Sequence, residues 1–116
     1  TTLPPTIAQH FDGRGKDVRA TYDRILAIAR EWGDVKPEAK KTSIQLLRGT
    51  VGFAAVQTRK DFLILTLKAA TEVRSPRVQK CEASGKIFQI EVRLTNAKEI
   101  DHELQQWMRA SYALAV

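Results

Sequence analysis

The chain lacks several features that would assign it to an exported, membrane or disulfide-rich class. It holds one cysteine, Cys81, among 116 residues, which excludes an internal disulfide and favours a reducing compartment. No stretch approaches the roughly 18 consecutive apolar residues of a membrane-spanning helix. The opening TTLPPTIAQHF also lacks a basic segment followed by an apolar run, which an export signal requires. We therefore expect a cytoplasmic protein that does not contact a membrane.

Glycine and proline are scarce, at 6 and 4 residues, and 43% of the chain is apolar. This composition favours one globular domain, over residues 1–116, with a single core. We find no repeat, linker or low-complexity segment. The first residue is threonine, so the sequence fits either a protein that has lost its initiator methionine or a terminal domain of a larger chain.

Two amphipathic helices are predicted, one near each end. Residues 1–15 form a lead segment with apolar positions at Leu3, Ile7 and Phe11. A helix over 16–33, ending at Gly33, follows from apolar residues that recur every three or four positions, namely Val18, Tyr22, Ile25, Ala29 and Trp32. A second helix over 97–113 follows from Ile100, Leu104, Trp107 and Ser111, with Met108 beside this stripe and a capping pattern at Asn96 and Glu99.

Residues 35–94 alternate apolar and polar positions with a period of two, which is typical of strands. The alternation is clearest in KIFQIEVRLT, where Phe88, Ile90, Val92 and Leu94 share one face. Short turns between consecutive segments predict an antiparallel sheet of about five strands. With both helices packed on one face of this sheet, the fold class is a two-layer α+β domain.

Positive charge is concentrated in the middle of the chain. The net charge is +6, but residues 36–98 hold 13 Lys and Arg against 5 Asp and Glu. Such an excess favours an anionic partner, either nucleic acid or an acidic protein. A basic rim of the sheet is the candidate anion-binding site, and it would comprise Lys41, Arg48, Arg59, Lys60, Arg74, Arg77 and Lys80.

The stretch VRSPRVQKCEASGK, residues 73–86, gathers Arg74, Arg77, Lys80 and Lys86 around a Ser75-Pro76 turn. It fits either a phosphate-binding device or a solvated bend between strands. Like charges repel, and long cationic side chains gain entropy in water, so we expect the cations of residues 73–80 to point mainly to solvent. The sheet phenylalanines Phe53, Phe62 and Phe88 fit inward positions, which argues against an RNA-recognition type of face.

Catalytic, metal and cofactor motifs are weak, and we predict none of these sites. The segment DGRGKD is too short for a phosphate loop. His10 and His102 lie far apart in the predicted fold, so we expect surface histidines rather than a shared metal site. Cys81 fits a packed thiol better than a nucleophile. The leading hypothesis is a non-catalytic binding or accessory module. Two alternatives are an enzyme with Lys41, Ser43 and Arg77 around a cleft between sheet and helices, and a domain that self-associates.

Several segments together resemble an uncharacterised bacterial family, the domain of unknown function five-six-five-five. They are AQHFDGRGKDVRATYDRI, GDVKPEAKKTSIQL, the GFAAV strand, RSPRV and EIDHELQQWMRASY. The resemblance covers almost the whole chain, and it implies this fold and size without implying an activity. The arrangement of helix, strands and helix is also similar to the small YdhG-like and YjbR-like bacterial folds, an analogy of fold alone.

Overall fold

The structure is a computed structural model, and it describes residues 7–41 and 43–114. The predicted lead position at Leu3 lies outside this range. A 3-10 helix, Ala8–Phe11, precedes helix α1, Lys16–Arg30. The strands are β1 Val35–Ala39, β2 Ile44–Arg48, β3 Val51–Thr58, β4 Leu63–Ala69, β5 Val78–Ser84 and β6 Ile87–Leu94. A second 3-10 helix, Ala97–Glu99, leads into α2, His102–Leu114. Neither α1 nor α2 is long and apolar enough to cross a bilayer.

The sheet has six strands in the order β1-β2-β3-β4-β6-β5, and all its pairings are antiparallel. The predicted antiparallel α+β architecture is confirmed, but the number of about five strands is wrong. The missed strand is β1, whose sequence VKPEA buries only Val35 fully. Proline at Pro37 cannot donate to a ladder and is tolerated at a sheet edge, which is where β1 lies.

The spatial order of the last strands differs from their order in the sequence. Strands β4 and β5 both pair with β6, so they run in the same direction with β6 between them. Residues 70–77 therefore carry the chain from one end of the sheet back to the other. Val73 in this connection packs against the core, so the connection is anchored on the side of the sheet that the core occupies.

The core lies on one face of the sheet, as the period-two alternation predicts. In β4 the leucines Leu63, Leu65 and Leu67 are fully buried, while the residues between them are half-buried. These leucines join one cluster with buried residues of both helices, among them Tyr22, Ile25, Leu104 and Met108. Met108 is buried and Trp107 is only half-buried, so the buried stripe of α2 runs through Leu104, Met108 and Ser111. Helix α2 also begins at His102, after a separate 3-10 turn, rather than at residue 97.

A buried serine joins α2 to two central strands. Leu46 lies opposite Ala54 and Leu47 opposite Gly52, so Phe53 is an extra residue that forms a β-bulge. The β3–β4 register ends at Ala54 and Leu67. Beyond that point, Oγ of Ser111 accepts the backbone N–H of Lys68 at 2.9 Å and donates to the carbonyl of Phe53. Ser111 thus bonds to one backbone group of each strand beyond the end of the β3–β4 register.

Candidate functional site

Three of the predicted cations lie at one end of the sheet. Lys41 is in the turn between β1 and β2, and Arg59 and Lys60 are in the turn between β3 and β4. Both turns close with backbone bonds, from Lys40 N to Ser43 O at 2.7 Å and from Arg59 N to Phe62 O at 2.8 Å. Lys41, Arg59 and Lys60 are exposed. Among the described residues none of the three forms an ion pair.

The segment before α1 packs across the same end. Gly15 N donates to Lys60 O at 2.9 Å, and Nε2 of His10 lies 2.7 Å from Lys40 O. These contacts place Arg14 and Lys16 beside the β3–β4 turn. We call the set Lys41, Arg59, Lys60, Arg14 and Lys16 the basic end.

The positive end of the α1 dipole adds to the field of the basic end. Gly15 is the N-cap of α1 and supplies no side-chain cap bond. Acidic residues Asp12, Asp17 and Asp61 lie in the same segments, and Lys40 forms an ion pair with Glu38 at 2.6 Å. In these segments the cations of the basic end therefore outnumber the acidic residues, but the two kinds of charge are interspersed.

Arg48 lies at the opposite end of the sheet. Its Nη1 donates to the carbonyl of Tyr112 at 3.0 Å, and its guanidinium stands 4.4 Å from the centroid of the Tyr112 ring. Arg48 thus satisfies a carbonyl in the last turn of α2. This intramolecular role separates it from the basic end.

The prediction that the cations of residues 73–80 point to water is wrong for Arg77. Nη1 of Arg77 lies 2.8 Å from Asp101 and 3.4 Å from Glu103, and Nη2 donates to Glu99 O at 2.5 Å. Only 26% of its side chain is exposed. The hydrogen bond to Asp101 is the main cause of a raised Arg77 pKa and of a lowered Asp101 pKa. Arg77 is therefore held by the acidic first turn of α2, which the sequence did not suggest.

Arg74 and Lys80 are exposed to solvent, as predicted, although each has a carboxylate partner. The Arg74 side chain is 86% exposed, with Glu72 at 3.4 Å. Lys80 forms an ion pair with Glu82 at 3.1 Å, and this partner is the main cause of the raised Lys80 pKa. The Ser75-Pro76 segment forms a hydrogen-bonded turn, in which Val78 N donates to Ser75 O at 3.0 Å and Ser75 Oγ accepts the backbone N–H of Arg77 at 3.3 Å.

The second face of the sheet, which we call the open face, carries the half-buried residues that alternate with the core. No helix among the described residues packs on it. Its residues form cross-strand rows, and one row joins Gln57, Ile64 and Arg93. Nη2 of Arg59 donates to Oε1 of Gln57 at 3.3 Å. The basic end is therefore continuous with this row.

Phe62 belongs to the open face and not to the core, contrary to the inward position predicted for it. The guanidinium of Arg93 lies 4.7 Å from the centroid of the Phe62 ring. Phe53 is buried as predicted, and Phe88 lies half-buried in register with Ala69 on the core side. The alternation of the sequence could have predicted this position, because Phe62 directly precedes the inward-facing Leu63 and neighbouring side chains point to opposite faces.

Two depressions mark the open face. One, of about 330 Å³, lies where β3 and β4 part, and Gln45, Gly52, Thr66, Lys68 and Gln89 are among its lining residues. The other, of about 410 Å³, is lined by Phe62, Ile64, Gln79, Lys80, Glu91 and Arg93. The second depression adjoins the basic end, and it combines an aromatic ring with cationic and polar side chains.

The other candidate residues are dispersed. Lys41 and Ser43 flank the β1–β2 turn, whereas Arg77 precedes β5 at the far edge of the sheet, so the cleft that an enzyme would need does not bring them together. Nε2 of His102 contacts Gln106 within α2 at 3.0 Å, away from His10. Cys81 is half-buried against the core. Within residues 7–41 and 43–114, no three His, Cys, Asp or Glu side chains converge on a possible metal position.

Comparisons with known proteins place the chain in one family without supplying an activity. No curated protein and no solved structure matches it, so the likeness to YdhG-like and YjbR-like folds stays a prediction. The family described as Domain of unknown function (DUF5655) matches residues 7–115. The chain, whose sequence segments resemble that family from end to end, belongs to the DUF5655 family.

Proposed function

We propose that this protein is a non-catalytic module that binds nucleic acid through the basic end. The observation that supports the proposal is the convergence of cations from three separate chain segments. They are joined by the bond from Gly15 N to Lys60 O at 2.9 Å and by the contact of His10 Nε2 with Lys40 O at 2.7 Å. Because Lys41 and Lys60 have no carboxylate partner among the described residues, their charges are available to an external anion.

The spacing of the two turns suits a phosphate chain. Two strand separations, roughly 10 Å, lie between the centres of the β1–β2 and β3–β4 turns. Measured along the helix axis of B-form DNA, where one strand carries a phosphate about every 3.4 Å, that distance covers about three phosphates. Lysine and arginine on turns can reach such a chain without rearranging the sheet, and Arg14 and Lys16 extend the same surface on the α1 side.

The test is fluorescence anisotropy with a labelled oligonucleotide of about 20 nucleotides, titrated between about 50 and 200 mM salt. We compare Lys41→Ala/Lys60→Ala with a matched control, Lys36→Ala/Lys86→Ala. Both pairs remove two exposed lysines, but Lys36 and Lys86 lie towards the opposite end of the sheet.

The wild-type protein is expected to bind, with a logarithmic affinity that falls linearly with the logarithm of salt concentration. The basic-end variant should reduce that slope by about 1.4, since each lost contact to single-stranded phosphate contributes about 0.7. The control should leave the slope unchanged. Equal effects of the two variants, or no binding at about 50 mM salt, would overturn the proposal, and so would tighter binding of a polyglutamate chain than of nucleic acid.

A further inference from the structure

We infer that the open face beside the basic end binds unstacked bases, so that the module prefers single-stranded nucleic acid to duplex. This inference rests on the proposed function and adds the substrate class. It follows from the position of Phe62, a half-buried aromatic ring on a sheet face that no described helix covers.

Phe62 and Arg93 form the candidate stacking platform. The guanidinium of Arg93 lies 4.7 Å from the Phe62 ring centroid, which is a cation–π contact. Arg93 is exposed and makes no ion pair with any residue of 7–41 or 43–114. Bases stack on aromatic rings and also on guanidinium planes. Either component of the platform therefore offers a surface that a base could cover.

The platform is continuous with the cations that would hold the phosphates. Arg59 contacts Gln57 at 3.3 Å, and Gln57, Ile64 and Arg93 follow one another across β3, β4 and β6. Phe62 itself closes the turn that carries Arg59 and Lys60. A strand bound along the basic end would thus have its bases within reach of the open face.

The depression of about 410 Å³ around the platform is suited to a base more than to a phosphate. This volume lies in the range of small-ligand pockets. Glu91 lines it, and Lys80, which also lines it, is paired with Glu82. A carboxylate repels phosphate but can accept a hydrogen bond from the exocyclic amino group of a base. Glu91 and the Phe62–Arg93 platform therefore favour bases in the depression, and the lysines that have no carboxylate partner among the described residues favour phosphates at the basic end.

Single-strand selectivity follows because paired bases are already stacked in a duplex and expose only their edges. The experiment measures the affinity for one sequence as a single strand and as a duplex. The test variant is Phe62→Leu, and the matched control is Phe88→Leu, which changes a half-buried phenylalanine on the core side. A third variant, Arg93→Lys, keeps the charge and removes the planar guanidinium.

We expect the wild type to bind the single strand about tenfold more tightly than the duplex, and Phe62→Leu to lower single-strand affinity roughly 5- to 150-fold, the range of one lost stacking contact. Its duplex affinity should stay within about twofold. Arg93→Lys should lower single-strand affinity selectively, and Phe88→Leu should change neither affinity. Circular dichroism establishes that each variant is folded. If Phe62→Leu does not fold, the Arg93→Lys comparison decides.

Two outcomes distinguish this inference from the proposed function. Equal affinity for single strand and duplex, or equal losses on both from Phe62→Leu or Arg93→Lys, would overturn the inference and leave the basic end as a general anion site. Absence of binding to either form would overturn the proposed function, and the inference with it.

Discussion

Arg77 and Asp101 join the connection between β4 and β5 to the first turn of α2. Nη1 of Arg77 lies 2.8 Å from Oδ1 of Asp101, and the same oxygen accepts the backbone N–H of Leu104 at 3.0 Å. Asp101 thus caps the helix while it binds an arginine 24 positions earlier in the chain. The sequence predicts that the cations of residues 73–80 are solvated. Arg77 instead attaches this segment to the start of α2, and we call its contact with Asp101 the clamp.

The first prediction concerns stability. Arg77→Ala should lower the free energy of unfolding by roughly 1 to 2 kcal/mol, because it removes hydrogen bonds to Asp101 and to Glu99 O from a partly buried site. Arg74→Ala is the matched control, and it should cost less than about 0.5 kcal/mol, as exposed substitutions do. Urea denaturation measures both. Equal values for the two variants would show that the clamp adds nothing beyond a surface charge.

The second prediction concerns pH. The Asp101 pKa is lowered, first by the hydrogen bond from Arg77 and then by that from Leu104 N–H. A carboxyl with a folded pKa below its unfolded value stabilises the fold above about pH 4, the ordinary aspartate pKa. That stabilisation is lost as the pH falls through the folded pKa.

Asp101→Asn isolates this effect, because asparagine is also a good N-cap. The difference in unfolding free energy between wild type and variant should be constant between about pH 5 and pH 7, and should shrink below about pH 4. A difference that grows on acidification would contradict the assignment. Denaturation curves at several pH values provide the measurement.

The sequence predicted the elements better than their order. Alternation in segments such as β4 depends on which side chains meet water, and that property is local, so the buried face followed directly. Strand β1 was not predicted, because Pro37 and the charged residues Lys36 and Glu38 interrupt the alternating apolar pattern. Only Val35 of this edge strand is fully buried. The position of β5 beyond β6 depends on contacts between distant segments, such as Arg77 with Asp101, which no local pattern contains.

The candidate site was predicted in part for the same reason. Lys41, Arg59 and Lys60 lie in turns, and turns are readable from sequence, so these exposed cations were found. Arg77 and Arg48 carry the same charge but are held by α2, through Asp101 and through the Tyr112 carbonyl. A charge count treats all five alike, and only tertiary contacts distinguish the structural arginines from those that face solvent.

The third prediction concerns the buried Ser111. Ser111→Ala removes the group that pairs with Phe53 O and Lys68 N. Leaving buried polar groups unsatisfied should cost roughly 1 to 3 kcal/mol of unfolding free energy. Ser43→Ala, a half-buried serine beside the β1–β2 turn, is the control and should change stability by less than about 0.5 kcal/mol. If thermal and urea denaturation find no difference between the two variants, the bridging role is wrong.

The fourth prediction concerns the close approach of α2 to the segment after α1. A methyl group at Gly33 would overlap Oη of Tyr112. Gly33→Ala should therefore destabilise the protein by roughly 1 to 3 kcal/mol, the usual effect of overpacking. Adding Tyr112→Phe, which removes the overlapping oxygen, should restore part of that loss in a double-mutant cycle.

Gly52→Ala is the comparison for Gly33→Ala. A methyl group there meets only ordinary contacts, Leu47 at 3.6 Å and Gln45 at 3.8 Å. We expect it to be neutral or stabilising by up to about 1 kcal/mol, because alanine loses less backbone entropy on folding. Strictly additive effects of Gly33→Ala and Tyr112→Phe would show that the two positions do not interact.

The last prediction separates two arginines of the predicted rim that carry the same charge. Arg48→Ala should lower the free energy of unfolding by roughly 1 to 2 kcal/mol, because it removes the bond to Tyr112 O and the contact with the Tyr112 ring. Its affinity for an oligonucleotide should stay within about twofold of wild type at a fixed salt concentration, since Arg48 is remote from the basic end. Arg59→Ala should instead leave stability nearly unchanged and weaken oligonucleotide binding.

The guanidinium of Arg59 bonds only to Thr58 O and Gln57 Oε1 among the described residues, so removing this side chain should cost less than about 0.5 kcal/mol in stability. Losing one charge-assisted contact to phosphate should weaken binding about fivefold or more. Because both changes remove one positive charge, a general effect of net charge predicts equal losses of affinity. Anisotropy titrations and urea denaturation of the two variants, run side by side, therefore distinguish a localised basic end from a diffuse positive charge.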